Sequence, residues 1–188
     1  MTIFGNRIFT IRLLLRRIEA QDVSLLAGWC HDPSAYGEYL TPEQYSPEHL
    51  ARQLDSGTLW TERNKTFLIE LREDGLPLGT IHYWIRSENP ATAVMALKIA
   101  NPAMRGKGLG TEAQKYLIMF LFNRLTISRV EMYTDVNNSA QQRCLHKLGF
   151  ELIQALTYAD QHVQRLGYLY RLEREQFSRE SIYLYHHQ

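Results

Sequence analysis

Cysteine is scarce, net charge is close to zero and long apolar runs are missing. The 188 residues hold two cysteines, Cys30 and Cys144, too few for a disulfide framework and without metal-ligand spacing. They read as buried thiols of a reducing compartment. A formal net charge of +1 provides no global field toward nucleic acid or an anionic membrane. No apolar stretch has the length to span a bilayer. Met1 to Arg17 is apolar but interrupted by Arg7, Arg12, Arg16 and Arg17. Without an unbroken apolar core or a small-residue cleavage site, it is not expected to be a signal peptide. His186-His187 at the end has no metal-site context and reads as incidental. The expectation is a cytoplasmic protein with no metal, no nucleic-acid partner and no membrane contact.

What is present suits one globular domain. Hydrophobic residues make up 45% and charged residues 22%, ordinary for a folded chain with a sizeable core. Phe9 to Arg17 reads as the first strand. Asp22 is placed to cap a helix through Leu25, Leu26 and Trp29, and Asp32-Pro33 ends it. Tyr36 to Tyr45 is a polar, aromatic loop. Ser46-Pro47-Glu48 opens a second, short helix that stops by Gly57. Thr66 to Arg72, a turn at Asp74-Gly75 and Leu78 to Arg86 make a hairpin. Further strands are expected at Val94 to Ala100, Arg129 to Val136, Phe150 to Tyr158 and Arg165 to Leu172. Helices are expected from Leu109 and from Asn138 to Leu148, the latter stopped by Gly149. This order is that of a mixed α/β sheet.

One stretch carries chemistry. Between an apolar strand and a helix lies Arg105-Gly106-Lys107-Gly108-Leu109-Gly110-Thr111. Its glycines remove the Cβ atoms that would hold a ligand off the main chain. The helix start adds unpaired N–H groups and the positive end of the dipole. The result is an anion site suited to phosphate, with Arg105 and Lys107 expected at its rim. It is not a P-loop, and its glycine spacing is wrong for the dinucleotide fingerprint.

The run Arg-x-x-Gly-x-Gly instead resembles the acetyl-coenzyme A loop of the GNAT N-acetyltransferase superfamily. The stretch Asn138 to Phe150, ending Lys147-Leu148-Gly149-Phe150, resembles a second motif of that superfamily. The likeness covers roughly residues 8 to 173 and looks most like the Rim-type branch, which includes N-terminal acetyltransferases of ribosomal proteins. It implies an α/β fold whose mixed, mostly antiparallel twisted sheet has about seven strands flanked by helices. A single domain would run over 1–175, with a tail at 176–188. It also implies acetyl-CoA as co-substrate and direct attack by a primary amine, on a protein N-terminus or a small molecule. Coenzyme contacts would come from Lys98, Ile99 and Ala100 of the strand end, from Arg105, Gly106, Lys107, Gly108, Leu109, Gly110 and Thr111 of the loop, and from Asn138. Because the strand-end contacts are main-chain, side-chain exchanges at Lys98 or Ile99 are expected to be mild unless they disturb packing. A homodimer is left open. The rival reading is a non-catalytic acyl-CoA-binding module.

Acid–base groups depart from the better-known members. The tyrosine that many use to protonate the leaving thiolate is replaced by Leu145, and a serine found in some Rim-type relatives by Gln141. The candidates that remain are Tyr133, His82 and Glu38. A phenol, with its pKa near 10, suits the role of acid toward a thiolate, and an imidazole titrates near neutrality. Glu38 lies in the loop that, by resemblance, lines the acceptor pocket. Glu131 shares a strand face with Tyr133 by alternation. Glu112 is expected to complement its helix start, Cys144 to be core, and Arg12, Arg16 and Arg17 to form a solvated strand face.

Overall fold

The computed structural model describes residues 2–4 and 6–184; the His186-His187 pair lies outside them. The strands are β1 Thr2–Phe4, β2 Arg7–Phe9, β3 Leu13–Arg17, β4 Asn64–Leu71, β5 Pro77–Ile85, β6 Thr92–Ile99, β7 Arg129–Asp135, β8 Glu151–Asp160 and β9 Val163–Glu173. The helices are α1 Val23–Cys30, α2 Pro33–Tyr36, α3 Pro47–Asp55, α4 Leu109–Arg124, α5 Ser139–Lys147, α6 Arg174–Arg179 and α7 Ser181–Leu184. The strands form one sheet in the order β1-β2-β3-β4-β5-β6-β7-β9-β8. Each neighbouring pair is antiparallel except β6 with β7.

The mixed, mostly antiparallel α/β sheet agrees with expectation, with one local correction. Phe9 to Arg17 is not a single strand. The Thr10 hydroxyl accepts from Leu13 N–H at 2.8 Å, and Thr10 N–H donates to Leu13 O at 2.9 Å. That closes a turn between β2 and β3, and with β1 brings the sheet to nine strands. Elsewhere local chemistry places the ends. Ser46 accepts from His49 N–H to cap α3, and the Asn138 carboxamide accepts from Gln141 N–H to cap α5, satisfying donors that a helix start leaves open.

Side chains alternate across the sheet. Ile81 and Tyr83 of β5 and Met95 of β6 are buried in the cluster that includes Ala113, Leu117 and Leu121 of α4. On the other face α1 and α3 close a second cluster over β4, with Leu26, Leu50 and Leu68. Thr80, His82 and Trp84 of β5 therefore point away from α4. After β9, α6 and α7 fold back: Phe177 stacks on Phe122, and the Tyr183 hydroxyl donates to Leu148 O at 2.7 Å.

Candidate active site

The parallel pair at the centre of the sheet is short. β6 and β7 are in register only from Thr92 opposite Arg129 to Val94 opposite Glu131. Beyond that the two strands separate, and one edge of β6 loses its partner. Ala100 N–H is taken by Leu78 O at 2.7 Å. By the alternation of an antiparallel ladder, Lys98 also faces β5, while the main-chain groups of Leu97 and Ile99 face the gap. Ala100 therefore has no free N–H for a ligand, a correction to its expected role. The gap opens into a groove of about 600 Å³ lined by, among others, Leu97, Ile99, Gly108, Gly110, Asn138 and Gln141.

The glycine loop forms one end of this groove. Gly106 and Gly108 have φ of 74° and 77°, the left-handed region that costs any L side chain about 1–2 kcal/mol. The first bond of α4 runs from Glu112 N–H to Gly108 O at 3.0 Å. Among the described residues, no main-chain or side-chain acceptor serves the N–H groups from Gly106 to Thr111. Donors left open at a helix start, facing a groove, are what a diphosphate requires.

The charges around the loop are distributed differently from the sequence expectation. Arg105 lines the groove, as expected of a rim residue, but its guanidinium is engaged: it donates to Ile99 O (2.9 Å), Ser34 O (2.6 Å) and Ala35 O (3.0 Å). It ties the end of β6 and α2 to the loop rather than projecting a free cation. Arg12, which is exposed, also reaches the loop. Its guanidinium donates to Lys107 O at 3.1 Å and to the Glu112 carboxylate at 2.7 Å. Glu112 does not simply complement the helix start; it also accepts from Arg12 N–H at 2.7 Å and Thr10 Oγ1 at 2.6 Å. Burial alone would raise its pKa, but these bonds outweigh burial and hold it below the usual carboxylate range. Of the three arginines expected on a solvated face, Arg12 and Arg17 are exposed and Arg16 is not. It is buried between Asp22 (2.7 Å) and Glu70 (2.6 Å), so Asp22 serves this pair and gives α1 no side-chain cap.

Because Arg105 acts through the loop, Arg105→Ala is expected to lower stability by about 2 kcal/mol, the value of a few charge-assisted bonds to carbonyls. Acetyl-CoA affinity should weaken by a factor that is the same at low and high salt. Calorimetric titration checks this, since a phosphate contact would lose its contribution as salt rises.

The far wall belongs to α4 and α5. Gln114, fully buried, donates from Nε2 to Gly110 O at 3.0 Å and accepts from Gln141 Nε2 at 2.7 Å. Cys144 is buried, as expected, and lies 3.1 Å from Thr111 Oγ1; burial pushes its thiol pKa up. Leu145 is fully buried and offers no acid. The Asn138 oxygen is used by its cap, and its residue lines the groove.

Lys98 and Tyr36 line the groove as well, the Lys98 side chain on the sheet face away from α4. Its Nζ donates to the Tyr36 hydroxyl at 2.9 Å, and that hydroxyl donates to Glu43 at 2.9 Å. Burial lowers the Lys98 pKa and raises that of Tyr36. Lys98 is thus the case excepted from the expectation of mild exchanges, because its side chain has packed partners of its own. Glu131 is buried and clamped by Arg86 and Arg171, each at 2.7 Å. Arg86 Nη2 also donates to the Tyr133 hydroxyl, leaving the phenol's own proton free. The Tyr133 ring stacks on Tyr158 at 5.5 Å. His82 stacks on Trp84 at 5.1 Å, and burial holds its pKa below the ordinary histidine value, so the ring is neutral at neutral pH. Glu38 lines the groove.

One link was invisible in the sequence. Arg165 of β9 bonds Asp160 (2.7 Å), Thr41 Oγ1 (3.1 Å) and Glu38 O (3.4 Å), and Asp160 accepts from Thr41 N–H (2.8 Å). The loop after α2 is thereby strapped to the β8–β9 hairpin.

Comparison with known proteins places this arrangement. A family model described as the acetyltransferase (GNAT) domain matches residues 12–151. An aminoglycoside N(6')-acetyltransferase type 1 of Klebsiella pneumoniae is 27% identical over 157 residues, covering 78% of this chain and 77% of that protein. Among solved structures, RimL, a ribosomal L7/L12 alpha-N-protein acetyltransferase in complex with coenzyme A, has a TM-score of 0.75 at 18% identity, covering 89% of this chain and 97% of its own. The aminoglycoside acetyltransferase AAC(6')-Ib with coenzyme A and kanamycin has a TM-score of 0.72 at 20% identity, covering 89% and 98%. The likeness divides between two branches and does not single out the Rim-type.

Proposed function

The chain belongs to the GNAT acetyltransferase family, and on that premise we propose how its own residues carry the reaction. It is an acetyl-CoA-dependent enzyme that acetylates an amine. The observation that carries the site reading is the row of unserved N–H groups from Gly106 to Thr111, beside the gap between β6 and β7. Those donors hold the diphosphate. The main chain of Leu97 and Ile99 lines up the pantetheine arm and polarises the thioester carbonyl. Acetyl-CoA supplies the activated acyl group. The amine approaches from the face that carries Tyr133 and Glu38 and attacks directly. An N–C bond forms and the C–S bond breaks, with Tyr133 giving its proton to the leaving thiolate and the amine's proton passing to water. His82, neutral and stacked on Trp84, supports the wall without charge.

The acceptors named for the relatives are an aminoglycoside and a ribosomal protein, so a small-molecule amine and a protein N-terminus both remain within this reading. The two buried free cysteines support a cytoplasmic setting, and the charge of +1 supports the absence of a nucleic-acid partner. Among the described residues no helix is long and apolar enough to cross a membrane.

Calorimetric binding of acetyl-CoA, with ATP and NAD as competitors, tests the groove. Displacement by either nucleotide at similar affinity would overturn the loop assignment. Tyr133→Phe is expected to lower kcat by about 100-fold, the lower range for a general acid, with acetyl-CoA affinity unchanged. An unaltered kcat would reduce Tyr133 to packing against Tyr158.

A further inference from the structure

The carboxylates around the acceptor side are already engaged. Glu131 is shared by Arg86 and Arg171. Asp160 and Asp135 both face Arg165, at 2.7 and 3.5 Å. Glu43 accepts from the Tyr36 hydroxyl and lies 3.9 Å from Lys98 Nζ. Four acids thus meet four cations, Arg86, Arg171, Arg165 and Lys98. Glu38 differs. It is exposed at the groove, and among the described residues its carboxylate has no hydrogen-bond or ion-pair partner. A second or third ammonium on a substrate would therefore meet an arginine or lysine beside each further acid, and like charges brought together are strongly disfavoured. Aromatic rings also stand on this sheet face, Tyr133 stacked on Tyr158 and His82 on Trp84, with Tyr39 at the groove. Such faces favour an apolar or aromatic body.

We propose that the acceptor is a monoamine, one protonated nitrogen received by Glu38 on an apolar or aromatic body lying against Tyr133 and Tyr158, and that polycationic amines are poor acceptors. This rests on the groove reading given under Proposed function. Glu38 is a specificity-determining residue: it draws in the single ammonium, which loses its proton to water before attack. The strap through Arg165 holds the Glu38 segment over the sheet, so the carboxylate and the aromatic faces stay together.

The test uses the whole chain, saturating acetyl-CoA and release of free coenzyme thiol. The four probes are 2-phenylethylamine, L-phenylalaninamide, spermidine and kanamycin. The two monoamines are expected to exceed both polycations in kcat/KM by at least about 10-fold, given the cost of like-charge contacts. Glu38→Gln should lower monoamine kcat/KM by about 5-fold through KM, as for one partly exposed ion pair, and should narrow the gap to the polycations. Acetyl-CoA binding by calorimetry runs in parallel. If it is intact and kanamycin or spermidine matches the monoamines, or no probe is acetylated, the monoamine proposal is overturned and the groove reading survives. If wild-type protein does not bind acetyl-CoA, the groove reading itself fails and takes this proposal with it.

Discussion

Gly108→Glu should abolish acetyl-CoA binding while leaving a folded protein. Gly108 immediately precedes α4, with φ of 77°, and its missing side chain leaves the main chain bare at the groove. Substitution has two effects. Backbone strain in the left-handed region lowers stability by about 1–2 kcal/mol, in the free and the bound protein alike. A carboxylate about 4 Å from a phosphate oxygen, at an effective dielectric of about 20, adds about 4 kcal/mol of repulsion. That second cost alone corresponds to about 1000-fold in Kd. Gly108→Ala separates them, since it carries the strain without the charge: it should lose stability and keep acetyl-CoA affinity close to that of the wild type. Calorimetric Kd values for the three proteins, with circular dichroism to confirm folding, decide the matter. Equal affinity in wild type and Gly108→Glu would remove the loop from the coenzyme site.

Arg16→Met should produce the largest loss of stability. Arg16, Asp22 and Glu70 have side chains 10%, 8% and 14% exposed, and Arg16 bonds both carboxylates. Removing the cation leaves two largely buried acids facing each other, and breaking such a pair costs about 3–5 kcal/mol. For a chain of this size the melting temperature should fall by about 10 °C. A shift below about 2 °C would show that solvent enters and relieves the charges. The pH dependence has a definite sign. Burial acts to raise the Asp22 pKa, but the Arg16 bonds and Glu19 N–H lower it on balance. The pair therefore stabilises fully above the unfolded aspartate value, about 3.9, and that contribution fades as pH falls through the lower folded value. Arg16→Met should be flatter than wild type in that acid window.

The sequence revealed most where the causes are local. Ser46, Asn138 and the periodicity of Leu109 to Arg124 each act within a turn or two, and the structure has α3, α5 and α4 at those places. The failures involve partners far along the chain. Asp22 has good capping chemistry, yet a buried arginine on β3 and a glutamate on β4 share its cluster. Arg105 read as a free cation at the loop's rim and Arg12 as part of a solvated strand face. How each is tied down is decided by carbonyls 70 and 71 residues from Arg105 and by a loop 95 residues from Arg12. Lys98 read as part of a strand edge because its partner Tyr36 is 62 residues away. The Thr10 turn was hidden because Phe9, Ile11 and Leu13 all suit a strand; only a threonine hydroxyl bonding back to Leu13 interrupts it.

The parting of β6 from β7 has a consequence for how freely this chain can drift. A molecule lodged in that seam would be read on one flank by peptide groups, which every residue except proline carries in the same form. Substitutions there that keep the strand intact leave such recognition in place. Chains at 18% and 20% identity still share this architecture over 89% of this chain and 97–98% of their own. Novelty can then gather on the acceptor face, where recognition is by side chains, Glu38 and Tyr133 being those proposed above.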